Sequence, residues 1–304
     1  MKLSHNIWFY IGTKGARFDC LSILGLHNHL SDERFIKKCY KAHTGDDLDL
    51  ENPHTFTEKL QWLKLYDHKP KYTIMVDKYE GKKYVDSILG KGHTIPLLGV
   101  WNHFDDIDFS TLPNQFVLKC THDSASYIIC KDKFAFNKKD AKSKLERRLK
   151  KSFFDRGREW PYKNVKPRII AEKFMVEDPN VRGLTDYKFF CFNGEPKVMY
   201  IGHDIADNPV CDFYDANFNR VDLRSRDPIS GIDIEKPVFF DQMLEYARIL
   251  SKGIPHVRVD FYYIDNTIYF GEFTFFHNGG MIKIQPEEWN LKLGDWITLP
   301  KVAE

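Results

Sequence analysis

The stretch His256-Val257-Arg258-Val259-Asp260-Phe261-Tyr262-Tyr263-Ile264, with its continuation Ile268-Tyr269-Phe270-Gly271-Glu272-Phe273-Thr274-Phe275, decides how this chain is read. The two runs form a hairpin. Side chains alternate between faces along a strand, so Arg258 and Asp260 share one face and Val257, Val259 and Phe261 the other. On the second strand Glu272 and Thr274 share a face. A three-residue loop, Asp265-Asn266-Thr267, pairs Ile264 with Ile268, and that register sets Asp260 directly opposite Glu272. Two abutting carboxylates repel unless a cation or a proton lies between them. Hard oxygen ligands so close suit Mg²⁺, which bridges to phosphate oxygens. Arg258 beside them can neutralise a transferring phosphoryl group. The plainer alternative is a strand pair whose polar face is solvated. The Arg-x-Asp plus Glu arrangement, followed by Asn278-Gly279-Gly280, weighs against it.

Upstream, Phe116-Val117-Leu118-Lys119-Cys120 places one lysine at the end of an apolar strand. A loop of small polar residues follows, Thr121-His122-Asp123-Ser124-Ala125-Ser126, and then another strand. The backbone N–H groups of such a loop can wrap phosphate oxygens. Taken alone, a plain hairpin with a snorkelling lysine explains this piece better. Ile169-Ile170-Ala171-Glu172-Lys173-Phe174 is a strand ending in charge. A nucleobase could bond to its backbone, with Glu172 accepting from an amino or ribose group. Asp186-Tyr187-Lys188 opens another hairpin and offers a second phosphate-facing lysine. The order of these pieces says more than any one of them.

The chain has 304 residues and a net charge of +2, with 42% hydrophobic, 29% charged and 15% aromatic residues. This composition excludes a disordered chain and allows one large or two modest domains. Near-neutral charge argues against nucleic acid as a partner. The six cysteines, Cys20, Cys39, Cys120, Cys130, Cys191 and Cys211, contain no CxxC pair, and the histidines show no ligand-like spacing. Neither a zinc site nor a disulfide framework is therefore expected. No stretch reaches the length of a membrane span, and the apolar patch Ile7-Trp8-Phe9-Tyr10 is too short for a signal-peptide core, so a cytoplasmic location is expected.

Residues 1–94 read as mostly helical: 32–42 after the cap Ser31 and before Gly45, a second helix opened by the Thr55/Glu58 capping box, and a third over 72–89. In the third, Asp77-Lys78 reads as an exposed pair. Composition turns mixed near residue 95, which marks the expected boundary. A very basic helix covers 138–151. Asn193-Gly194 suits a tight primed turn between 187–192 and 197–201. Another helix spans 239–252.

The segments Asn52-Pro53-His54-Thr55-Phe56-Thr57-Glu58-Lys59, Asp77-Lys78-Tyr79, the Lys119 strand with its loop, Asp186-Tyr187-Lys188-Phe189 and Gly271-Glu272-Phe273-Thr274-Phe275 together resemble the TupA-like ATP-grasp group, found in bacterial surface-polysaccharide and teichuronopeptide biosynthesis. The resemblance spans about residues 30–298. It implies an α+β fold in which two subdomains, roughly 95–170 and 171–304, clasp ATP behind the helical region 1–94. It implies that Lys119, Lys188 and the Ser124 loop contact ATP phosphates, and that Glu172, Lys173 and Phe174 form the adenine hinge. It further implies that Asp260 and Glu272 hold Mg²⁺, and that Arg258 serves the γ-phosphate and acyl-phosphate. Two positions depart from the pattern. Thr274 stands where an Asn ligand is usual, so the third metal ligand could pass to Asn278 or water. Ala125 stands where the phosphate loop usually has glycine.

The implied reaction is a carboxylate–amine ligation through an acyl-phosphate, in which the protein supplies positioning and charge neutralisation. The surface-polysaccharide context points to an amino acid or other amine joined to a uronate-bearing saccharide or lipid-linked glycan. Two rivals stand beside it: a glycosyltransferase, for which Asp47-Leu48-Asp49 and Asp106-Ile107-Asp108 are short metal-binding patterns, and a non-catalytic nucleotide-binding protein. For the basic helix, a solvated face is the simpler reading, with contact to an anionic glycan or the inner-membrane surface as the other. Trp160, Trp289 and Trp296 read as core before sugar platforms. His122 and His277 are the two histidines placed to act as a general base.

Overall fold

The computed structural model describes residues 12–124, 126–177, 184–205 and 208–301, with backbone alone at 203–205 and 208–209. The apolar patch at 7–10 and position 125 lie outside the described residues, as do parts of the loops at 176–185 and 203–212.

The amino-terminal region is helical: α1 (Lys14–Ile23), α2 (Asp32–Thr44), α3 (Phe56–Tyr66), α4 (Pro70–Val76) and α5 (Glu80–Leu89). Ser31 caps α2 by accepting from the Arg34 N–H, and Gly45 ends it at a φ of 85°. The Thr55/Glu58 box opens α3. The helix expected over 72–89 is instead two. Asp77 divides them, because its carboxylate accepts from the N–H groups of Tyr79 and Glu80 and so starts α5. The expectation of an exposed Asp77–Lys78 pair also fails. Asp77 is buried and bonded to Arg168 at 2.7 Å.

Strands β1 (Leu97–Trp101), β2 (Phe116–Cys120), β3 (Tyr127–Cys130) and β4 (Ile169–Lys173) form an antiparallel sheet in the order β1-β4-β2-β3. The basic helix α6 (Lys138–Leu149) lays Ala141 and Leu145 on Phe116, Leu118 and Ile169 of this sheet and turns its charges outward. A short turn, α7 (Phe154–Gly157), follows. Strands β5 (Asp186–Phe192), β6 (Glu195–Ile205), β7 (Asn208–Asp215), β8 (Arg220–Val221), β9 (His256–Ile264) and β10 (Thr267–Thr274) form the second antiparallel sheet, in the order β10-β9-β5-β6-β7-β8. Asn193 and Gly194, at φ 51° and 87°, make the β5–β6 turn. Helix α8 (Phe240–Ser251) packs on the larger sheet, and α9 (Glu287–Asp295) packs on α3.

Phe56, Leu60, Tyr72 and Val85 from the helices share one apolar cluster with Phe189, Val259, Phe261 and Phe273 of the large sheet. Each such side chain contributes about 1.5–3 kcal/mol on burial. The change near residue 95 is thus one of secondary structure and not of packing. A cut between 170 and 171 would pass through β4, which pairs with β1 and β2. Among the described residues no helix is long and apolar enough to cross a membrane.

The decisive hairpin differs from its expected register. Its loop is two residues, Asp265 and Asn266, at φ 50° and 58°, and Ile264 pairs with Thr267. This moves the register by one position. A bulge between Phe270 and Phe273 moves it back, so that Phe273 faces Val259 and Thr274 faces Arg258. Gly271 and Glu272 together oppose Asp260. A Cβ at Gly271 would lie 3.2 Å from the Asp260 carbonyl oxygen, so glycine suits the bulge.

Candidate active site

The small sheet meets the edge of the large one where Phe270 donates to the carbonyl of His93 at 2.7 Å. A narrow cleft of about 70 Å³ lies between them, lined by Lys78, Lys82, Lys119, Glu172, Tyr262 and Glu272 among others. It opens beside a chamber of about 420 Å³ bounded by Ser124, Glu159, Arg226, Arg258, Glu272, Thr274 and Asn278.

On the small-sheet wall, Glu172 bonds two ammonium groups, Lys119 at 2.6 Å and Lys82 at 2.6 Å. Burial alone would raise the Glu172 pKa, but the two lysines overcome this and hold it at about 2. Both oxygens of Glu172 are therefore engaged, and its role here is to fix two cations and not to accept from a base or ribose. The Lys173 side chain is exposed and Phe174 is half-buried just past β4; neither lines the cleft. Lys82 has no signal in the sequence, being one of two adjacent lysines on α5.

The small-residue loop after β2 is strapped from several sides. The Lys78 N–H donates to Thr121 O at 3.1 Å, and the Lys78 ammonium bonds Asp123 O. Thr121 Oγ1 donates to Lys166 O at 2.9 Å. His122 Nε2 lies 3.2 and 3.1 Å from the carbonyls of Arg148 and Lys151. His122 thereby ties the loop to the end of α6, and its Nδ1 is buried without a hydrogen-bond partner. Ser124 remains exposed and faces the chamber.

On the large-sheet wall, register pairs Lys188 with Asp260 and Arg258 with Thr274. Arg258 is buried. Its Nε and Nη2 donate to the two Asp260 oxygens at 2.7 Å each, Nη2 also reaches Thr274 Oγ1 at 3.0 Å, and Glu272 lies 3.5 Å away. Arg258 is thus a cation set between the acids, and it also borders the chamber. Burial works against the charge on Lys188, but Asp260 at 3.4 Å and Asp186 at 2.9 Å raise its pKa. Thr274 Oγ1 lies 3.3 Å from Glu272 Oε1, so the hydroxyl does sit among the acids. Glu272 and the Thr274 hydroxyl are hard donors that fit Mg²⁺ and border the chamber, whereas Asp260, with both oxygens on Arg258, would have to release one of those bonds to join them. The guanidinium between them marks where positive charge is required.

His277 Nδ1 lies 2.7 Å from Arg258 Nη1. A guanidinium can only donate, so Nδ1 accepts and Nε2 carries the proton. Burial and Arg258 hold the His277 pKa well below the usual value, and its lone pair is spent on Arg258. The turn carrying His277 is fixed by α3. Gln61 donates to the carbonyls of Gly279 and Gly280, and Lys64 donates to Gly279 at 2.6 Å. Gly280 has a φ of 64°, and a Cβ there would strike Gln61 at 2.4 Å. In the same chamber, burial pushes the Glu159 pKa up to about 7, against the pull of Lys64 and Arg156.

The other motifs stay local. Asp49 caps the N–H groups of Glu51 and Asn52, Asp47 pairs with Lys41, Asp106 caps His103, and Asp108 bonds Ser110. Neither Asp-x-Asp run converges on a ligand position. Trp160 stacks on His68, and Trp289 and Trp296 pack against the core. Lysines of α6 pair with Asp105 and Asp140.

Two antiparallel sheets thus meet at a cleft with Lys78, Lys82 and Lys119 on one side and Glu272 on the other. The chain belongs to the TupA-like ATP-grasp family, whose model matches residues 58–298. No curated protein matches it. Among solved structures it is similar to D-alanine–D-alanine ligase from Bacillus anthracis, at 18% identity and TM-score 0.40, covering 68% of this chain and 58% of that one. The Helicobacter pylori D-alanine–D-alanine ligase matches at 14% and 0.43, covering 80% and 69%. N5-carboxyaminoimidazole ribonucleotide synthetase from Thermus thermophilus matches at 13% and 0.41, covering 75% and 54%. The chain spans less than two thirds of the Bacillus anthracis enzyme. These likenesses are distant, and the family match is what assigns the fold.

Proposed function

We propose that the chain is an ATP-dependent carboxylate–amine ligase that makes an amide through an acyl-phosphate. The observation that carries this reading is the opposition of charge across the cleft: Lys82 and Lys119 on one wall and Glu272 on the other, with buried Arg258 joining Glu272 to Asp260. Lys119 and Lys82 bind phosphate oxygens, and the strapped Ser124 loop covers them. Phe174 and the backbone of Lys173, outside the closed cleft, border the adenine once nucleotide entry parts the sheets. Asp260, Glu272 and the Thr274 hydroxyl hold Mg²⁺, which when bound neutralises phosphate charge. Lys188 and Arg258 counter the charge that develops as a phosphoryl group moves to the substrate carboxylate. The chamber beside Glu272 receives the acid and the amine, and Arg226 supplies a cation for the carboxylate. A cleft of about 70 Å³ is smaller than an ordinary ligand site, so nucleotide entry parts the sheets.

The substrate reading extends from the surface-polysaccharide setting of the resembled family: an amino acid or amine joined to a uronate-bearing saccharide or lipid-linked precursor, on the cytoplasmic side of the membrane. The test is ADP release that requires both an acid and an amine from panels of uronates and amines. Asp260→Asn is expected to lower it by roughly 10²–10³-fold. ATP turnover that needs neither substrate, or that survives this change, would sink the reading.

A further inference from the structure

We infer that Asp19, Cys39 and His43 form a binding site for one divalent ion of the zinc class, separate from the carboxylates of β9 and β10. One ligand atom from each residue lies within 4.8 Å of the others, a spread that one ion at about 2.0–2.3 Å from each can gather with small side-chain movements. Cys39 and His43 are one turn apart on α2, so they share a face, and Asp19 comes from α1 packed against it. The ring of His43 is held in place. Its Nε2 lies 3.0 Å from Asp19 Oδ1, while Gly15 covers the Nδ1 edge so closely that a Cβ there would fall 2.6 Å from Nδ1.

The donor types choose the ion. Sulfur, nitrogen and oxygen together suit Zn²⁺ and its neighbours, whereas the all-oxygen set near Glu272 suits Mg²⁺. Burial grades across the cluster: Cys39 is 2% exposed, and the His43 and Asp19 side chains are 22% and 47% exposed. The Cys39 sulfur is therefore shielded, and an ion enters from the Asp19 side. All three residues line the chamber that also holds Lys64, Glu159 and Glu272. Three protein ligands leave a fourth position for water or a substrate nitrogen on that side. The site escaped the cysteine argument because its spacing is Cys-x₃-His on a helix and not CxxC. It also precedes the stretch that the family model matches, and it does not depend on the ligase reading.

The test is titration of the full chain, stripped by a chelator, with Co²⁺. The expected result is one Co²⁺ per chain, a near-ultraviolet thiolate-to-cobalt charge-transfer band and tetrahedral visible bands, all displaced by Zn²⁺ and not by excess Mg²⁺. Cys39→Ser loses the charge-transfer band, and Asp19→Asn weakens binding. Asp19 is on the surface, so that variant remains informative if Cys39→Ser fails to fold. Glu272→Gln leaves the bands intact, which separates this site from the Mg²⁺ cluster. No band at excess Co²⁺, a band that survives Cys39→Ser, or alkylation of Cys39 at a rate indifferent to Zn²⁺ would each overturn the inference.

Discussion

On the small sheet an anion, Glu172, sits between two cations, Lys82 and Lys119; on the large sheet a cation, Arg258, sits between two anions, Asp260 and Glu272. The first group carries one surplus positive charge and the second one surplus negative charge. Each central ion does the same physical work. It keeps two like charges side by side where bare repulsion would drive them apart or shift their protonation. The surplus is what remains for a ligand. A magnesium–triphosphate presents both signs, so phosphate oxygens suit the lysine wall and the metal suits the acid wall.

Removing a flanking acid of one group or the centre of the other should break this symmetry. The largest effect belongs to the acid wall. Asp260→Ala leaves Arg258 buried without its two-point partner, and unfolding titration should show a loss of about 3–5 kcal/mol. Next is Glu172. Its pKa is depressed in the fold, so its contribution is present above about pH 4.5 and is lost as pH falls towards 2. That contribution is about 3 kcal/mol, and Glu172→Gln should flatten the acid limb of a stability–pH curve. Glu159 behaves oppositely. Its raised pKa means its contribution is full below about pH 4.5 and is lost as pH rises through about 7. Glu159→Gln should therefore gain on the parent at pH 8 relative to pH 5, by about 2 kcal/mol given partial access to water. The smallest effect is Thr274→Val, which deletes the Arg258–Oγ1 bond at 3.0 Å and should cost about 1 kcal/mol.

Much of the fold is written locally. Ser31, the Thr55/Glu58 box and the Asn193-Gly194 turn satisfy backbone groups within a few residues, and each element appears where expected. The α4–α5 break was hidden because Asp77 acts there through capping and a bond to Arg168, far along the chain. The placing of Glu272 beside Asp260 was reached by a loop one residue too long. The bulge at Gly271 and Glu272 restores the offset, and only the glycine hints at it. Lys82, Lys64 and Glu159 gain their character from neighbours distant in sequence, as do Asp19 and Cys39 around His43. No spacing rule carries that information. The division of roles within the site was also illegible, since Arg258 and His277 read as reactive groups but are bonded to each other.

The most direct test of the two-wall account is calorimetric ATP binding, with and without Mg²⁺, for the parent chain, Lys119→Met and Glu272→Gln. The Glu272 side chain is 42% exposed, so its change leaves the core intact. The account expects Mg²⁺ to tighten ATP binding in the parent, Lys119→Met to weaken binding with or without the metal, and Glu272→Gln to abolish the gain from Mg²⁺ while sparing metal-free binding. Equal Mg²⁺ dependence in the parent and Glu272→Gln, with Lys119→Met unaffected, would contradict it.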